Sequence, residues 1–211
     1  LTGSGFAGGL AGISNGTISG VTAEGLTVTG NNSVGGLIGQ NSGTLTAAST
    51  AGGSVSGSST VGGLVGANYG AVTDSENGAD VIGTAGTAVS MVGGVAGSNS
   101  GILADVLNTG AVTVENGTLV GGIAGFNYNP DPEAEAVTAE TAAAAPVRIE
   151  NALNLGTVTS GADYTAGLVG RSETAALLKA YNAGAVVSAA EHISAGSTEE
   201  NTAWASYTAL T

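Results

Sequence analysis

The chain has 211 residues, of which 38 are glycine, 9% are charged, 4% are aromatic and none is cysteine. Sixteen acidic residues against three basic ones (Arg148, Arg171 and Lys179) give a net charge of -13, which repels phosphate backbones and anionic lipid and argues against a nucleic-acid partner. Without cysteine, neither disulfides nor thiolate metal sites can form; no apolar run approaches the ~20 residues of a membrane span; and the apolar content is too high, and the charge too sparse, for a disordered chain.

The charge is uneven. Up to Val72 only Glu24 is charged, whereas residues 131 to 150 hold five carboxylates. The N-terminal part must stay soluble through Ser, Thr and Asn. No signal peptide is visible at Leu1, and the chain starts inside a pattern, so it is expected to be an excised part of something longer.

That pattern is a repeat. In chain order the strings are AGGLAG at 7–12, VGGLIG at 34–39, VGGLVG at 61–66, VGGVAG at 92–97, VGGIAG at 120–125 and TAGLVG at 165–170. Counted between second glycines, the steps are 27, 27, 31, 28 and 45 residues. Two residues past the last glycine stands Asn41, Asn68, Asn99 or Asn127, with Ser14 and Ser172 in the outer copies. An aliphatic slot follows at Ile18, Leu45, Val72 and Leu103. A third element reads LNTGAV at 107–112, LNLGTV at 153–158 and YNAGAV at 181–186, with ENGADV at 76–81 as a looser version.

Each unit thus holds about three short apolar runs divided by Gly, Asn and Ser, which reads as strands and turns. No sustained 3.6-residue period is present in the repeats. A propeller blade needs ~40 to 50 residues, and leucine-rich repeats need helical segments that are missing here. The reading is an all-β fold: a parallel, right-handed β-helix, or β-solenoid, of five to six coils. Each coil has about 27 residues and three short strands, and one excursion is inserted. At ~4.8 Å per coil the body is roughly 25 to 30 Å long. The repeat positions that define it are Gly36, Leu37, Gly39 and Asn41; Gly63, Leu64, Gly66 and Asn68; Gly94, Val95, Gly97 and Asn99; Gly122, Ile123, Gly125 and Asn127; and Gly167, Leu168 and Gly170.

Val34 and Leu37 are both large in almost every copy, yet an odd spacing puts them on opposite faces of a regular strand. Either Gly35 and Gly36 form a bulge or corner through positive φ, so that both large residues point inward, or Gly36 points inward and Leu37 outward. The asparagine slot suits amide-to-amide stacking along the rod and a left-handed corner; a sugar- or ice-binding row is the lesser reading.

Residues 129–150 interrupt the repeat. Asp131 suits an N-cap, Pro132 the first helical position, and Glu133 and Glu135 the first turn. The alanine run then favours helix until Pro146. The expectation is a short helix or ordered excursion beside the rod, with a flexible loop as the alternative. Insertions into solenoids often lie on the binding face. The solenoid domain is expected over 1–190. Residues 191–211, with His192, Trp204 and Tyr207, are expected to cap the open end or to link to a further domain.

Little here points to chemistry. One histidine and no cysteine exclude a Cys–His pair and a multi-histidine zinc site. A Ser–His–Asp set around His192 stays open because serines abound, but no G-x-S-x-G accompanies it. GSGFAG at 3–8 has G-x-G-x-x-G spacing without the strand–helix context that a dinucleotide site needs. PDPEAE at 130–135 lacks EF-hand spacing and reads as a solvated acidic loop. A polysaccharide lyase needs cations to neutralise acidic sugar, and only three are present. Ice binding needs a flat threonine array, and TVT at 27–29 and TVTS at 157–160 are scattered. No catalytic, cofactor-binding or metal-binding residues are assigned, and no cofactor is expected.

With these residues in view, the repeat resembles the GLUG motif, named for a Gly-Leu-hydrophobic-Gly core. The core stands as GLAG at 9–12, GLIG at 36–39, GLVG at 63–66 and GLVG at 167–170, with GVAG at 94–97 and GIAG at 122–125 as variants. The resemblance covers roughly residues 6 to 190. Such repeats occur in large secreted or surface-anchored bacterial proteins, including adhesin-like proteins and non-catalytic regions of IgA-specific metallopeptidases. It implies a non-enzymatic, extracellular or cell-surface stalk or adhesive module. The implied partners are host glycan or an extracellular-matrix or surface protein, together with further domains of the same polypeptide. The alternative is a structural appendage of a secreted metallopeptidase or other enzyme. That peptidase family's His-Glu-x-x-His is missing here.

Overall fold

The computed structural model describes residues 1–84, 90–131, 133–138 and 140–188. Over them the chain winds as a β-solenoid. Each strand pairs in parallel with its counterpart one coil on: Val34 opposes Val61, Val61 opposes Val92, and Val92 opposes Val120. Two sheets hold six strands each and a third holds thirteen, which makes about six coils. The second coil shows the plan. Ser33–Gly35 lies in the first sheet, Ile38–Asn41 in the second, and Thr44–Thr46 with Ser49–Gly57 in the third. The third side is longer than a short strand, and in the next coil it runs unbroken from Ala71 to Gly83.

Equivalent letters stack in columns. The amide of Leu37 donates to the carbonyl of Leu64 at 2.9 Å, Leu64 to Val95 at 3.0 Å, Val95 to Ile123 at 2.9 Å and Ile123 to Leu168 at 2.8 Å. Val34, Val61, Val92 and Val120 form one fully buried column; Leu45, Val72, Leu103 and Ile149 form another. Each such side chain contributes roughly 1.5 to 3 kcal/mol by leaving water. The apolar interior divides into two clusters: one around Leu37, Leu64 and Leu103, the other around Val34, Val61 and Val81.

The glycine string makes the corner between the first two sheets. Strand Ser33–Gly35 ends, Gly36 and Leu37 bend, and Ile38–Asn41 begins, with Val34 and Leu37 both fully buried. The reason differs from the one expected. None of these glycines lies in the left-handed region. They are glycine because no side chain fits. A Cβ on Gly63 would collide with the Gly94 carbonyl oxygen and with the Asn77 amide; one on Gly66 would stand 2.7 Å from the Val34 nitrogen. Contacts that close essentially never occur for real Cβ atoms, so the two sheets meet backbone to backbone.

Six left-handed residues form a column elsewhere, on the third side. Gly20, Ala47, Asp74, Asp105, Asn151 and Lys179 stand one per coil with φ between 45° and 66°. All six are exposed. Glycine, and to a lesser degree asparagine and aspartate, adopt this conformation cheaply; for Ala47 and Lys179 it costs roughly 1–2 kcal/mol each, which the pairing on both flanks must offset.

The excursion is shorter than residues 129–150. The preceding strand, Ala124–Tyr128, and the following strand, Arg148–Asn154, bound it at 129–147. The expected helix is reduced to one 3-10 turn, Ala142–Ala144, and residues 133–138 are not helical. Asp131 instead closes a tight turn, its carboxylate accepting the Glu133 amide at 2.9 Å. Helices this short are marginal in water even when rich in alanine. The turn docks by Ala142 and Ala145 against Ala176 of the last coil. The expected cap at 191–211, with His192, Trp204 and Tyr207, lies outside the described residues, as does Pro132.

Candidate binding face

Two polar ladders fix the geometry from within. Asn41, Asn68, Asn99 and Asn127 are fully buried or nearly so. Each Nδ2 donates to the next side-chain oxygen, at 2.9, 2.8 and 2.9 Å, and Asn127 donates to Ser172 Oγ at 3.1 Å. Spare capacity goes to backbone: Asn41 Nδ2 also donates to Gly43 O, and Asn41 Oδ1 accepts the Gly43 amide. Each asparagine of this ladder is thereby partnered, as a low-dielectric interior demands.

The second ladder rises through the third element. Thr50 donates to Asn77, Asn77 to Asn108, Asn108 to Asn154 and Asn154 to Asn182, at 2.6 to 2.8 Å. Its amides lie against the motif glycines. A Cβ on Gly94 would strike Asn108, one on Gly122 would strike Asn154, and one on Gly167 would strike Asn182. The ladder therefore runs between the two apolar clusters and occupies the space that the second motif glycine leaves. Both signals were present in the sequence: the glycine strings, and the Asn at the second position of each third element. Their pairing was not, because it joins residues 14 to 32 apart across a coil.

With the asparagines turned inward, their chain neighbours must face outward. On the second sheet these are Phe126 and Tyr128 around Asn127, and Tyr69 beside Asn68. Tyr69 is 49% exposed. The Phe126 and Tyr128 rings stack with centroids 4.4 Å apart and planes 14° apart. The Arg171 guanidinium sits over Phe126 at 5.9 Å and is paired with Glu173. Burial, with Tyr128 adding charge and a hydrogen bond, holds the Tyr69 hydroxyl above the usual tyrosine pKa. Ser100 stands between Tyr69 and Tyr128 in the same column, and its hydroxyl oxygen is buried without a hydrogen-bond partner among the described residues.

Beside this strip the excursion leaves the rod. Tyr69 and Ser100 on one side, and Asn129, Pro130, Pro146 and Val147 on the other, frame an open groove of about 540 Å³. Compared with family models, with curated proteins and with solved structures, the chain matches none. The reading of this face therefore rests on its geometry. Of the repeat positions singled out in the sequence, the motif residues and asparagines build the wall behind the groove and none lines it. Among the described residues, no three His, Cys, Asp or Glu side chains converge as a metal site would need.

Proposed function

We propose that the chain is a non-catalytic, extracellular module of a bacterial surface or secreted protein. Its solenoid is the stalk, and the Tyr69 groove is the contact surface for host glycan or for an extracellular-matrix or surface protein. The observation that carries this is the aromatic strip of Tyr69, Tyr128 and Phe126, placed where the excursion departs. Scattered single aromatics are ordinary on a surface, whereas contiguous exposed apolar surface beside a groove marks a binding site. Concave sites pair a few polar groups with an apolar lining, and this groove has both. The six glycine strings in register support the GLUG resemblance, and with it the surface setting.

The test is binding of the purified chain to immobilised glycans and matrix proteins. Tyr69→Ala combined with Tyr128→Ala should abolish binding while the far-ultraviolet circular dichroism of the rod is retained. Absence of any binding to either class overturns the reading.

A further inference from the structure

We infer that, granted this binding role, the ligand of the Tyr69 groove is a neutral polysaccharide lying along the rod axis. The lining carries the argument. None of the residues around the groove is charged. Its polar groups are hydroxyls and one amide, from Ser42, Thr44, Ser100 and Asn129, and its apolar surface comes from Tyr69, Pro130 and Pro146 together with Ala71, Ile102 and Val147. Hydroxyl and amide groups exchange hydrogen bonds with sugar hydroxyls, and a half-exposed tyrosine offers a flat face to the C–H side of a hexose ring.

An acidic sugar needs cations, and those nearest the groove are engaged. Arg148 reaches Glu150 at 3.3 Å and donates to the Ala145 carbonyl at 3.0 Å. Arg171 is paired with Glu173. A net charge of -13 adds a repulsive field for sialylated, uronic or sulfated chains.

Ser100 stands in the groove wall between the two tyrosines, its hydroxyl oxygen buried beneath the surface and without a partner among the described residues. The direction follows from the fold: Tyr69, Ser100 and Tyr128 recur one per coil at ~4.8 Å, so any repeated contact runs along the axis.

The full chain is tested against a neutral β-glucan, a mannan, a uronic-acid polymer and a sulfated polymer, at low and at physiological salt. The neutral polymers should bind with an affinity that salt barely moves, and Tyr69→Ala should weaken them roughly tenfold or more. Ser100→Ala removes a buried hydroxyl that the ligand does not reach, so it should leave binding unchanged and raise the urea midpoint. Binding confined to the acidic polymers overturns the neutral assignment and leaves the binding role standing. So does capture of a matrix protein or a proline-rich peptide with no glycan bound. Loss of all binding removes both.

Discussion

Asn68 and Tyr69 are consecutive, and they live under different rules. Asn68 is 1% exposed, bonded above and below in a ladder whose asparagines recur in four consecutive coils. Tyr69 is half exposed and has no tyrosine in the coil on either side of it: the register positions are Ser42 and Ser100. Stacking copies whatever lies inside, because each inward residue is the floor of the next. It leaves outward residues free to differ. The teaching is general for solenoids: repetition marks what holds the rod, and singular residues mark what the rod presents.

The largest effect should come from adding one methyl group at the corner. Gly63→Ala drives a Cβ into backbone and into the Asn77 amide, so the loss should exceed the ~1–3 kcal/mol of ordinary overpacking. Gly16→Ala is the control. Nothing lies within 4 Å of a Cβ there, and it should be neutral or gain up to about 1 kcal/mol. Urea denaturation of the two variants reads the contrast, and equal midpoints would mean the corner is not sterically closed.

Next comes the ladder. Asn108→Ala strands the Asn77 amide, the Asn154 oxygen and the Gly110 carbonyl, and should cost about 3 kcal/mol or more. Asn182→Ala, at the described end of that ladder and only partly buried, should cost about 1 kcal/mol. A similar loss at both sites would show that the ladder acts as isolated pairs.

On the outside the sign reverses. Ala47 has φ 50°, so Ala47→Gly trades roughly 1–2 kcal/mol of strain for the ~0.5–1 kcal/mol that glycine loses in conformational freedom, and should raise stability by about 0.5–1 kcal/mol. A lowered thermal midpoint would contradict it.

The smallest effect is on titration. Because the Tyr69 pKa is raised in the folded state, its share of stability is present below the ordinary tyrosine pKa of about 10 and fades as pH rises through the folded value. Tyr128→Phe removes the charge and hydrogen-bond contributions and keeps the larger one from burial. Phenolate absorbance should therefore show Tyr69 ionising at somewhat lower pH in that variant, and no change would place Tyr128 too far away to matter.

These contrasts also explain what could be read in advance. The coils, the aliphatic columns and the Asn41 ladder were evident because each position recurs. The purpose of Gly36 and Gly63 was misjudged, since left-handed backbone and a lack of space select the same residue. The left-handed column stayed hidden for the opposite reason: Ala47, Asp74, Asp105 and Lys179 carry no glycine-like mark, and only the pairing on either side holds them there. The alanine run at 142–145 promised a helix by propensity alone, while two alanines, Ala142 and Ala145, packed on Ala176 sufficed to hold a single turn. Phe126 and Tyr128 were within reach. They flank a residue already assigned to the interior, and alternation alone turns them outward.

The amides of both ladders all hand their protons the same way, toward the chain's C-terminal end. This gives the rod a grain, like the nap of a cloth. A whole unit of 27 residues, as between Gly36 and Gly63, can be spliced in at any storey and still receive a proton from below and pass one upward. A storey turned upside down would set donor against donor. Such a molecule can be lengthened by duplication, one unit at a time, and every added storey keeps the same heading.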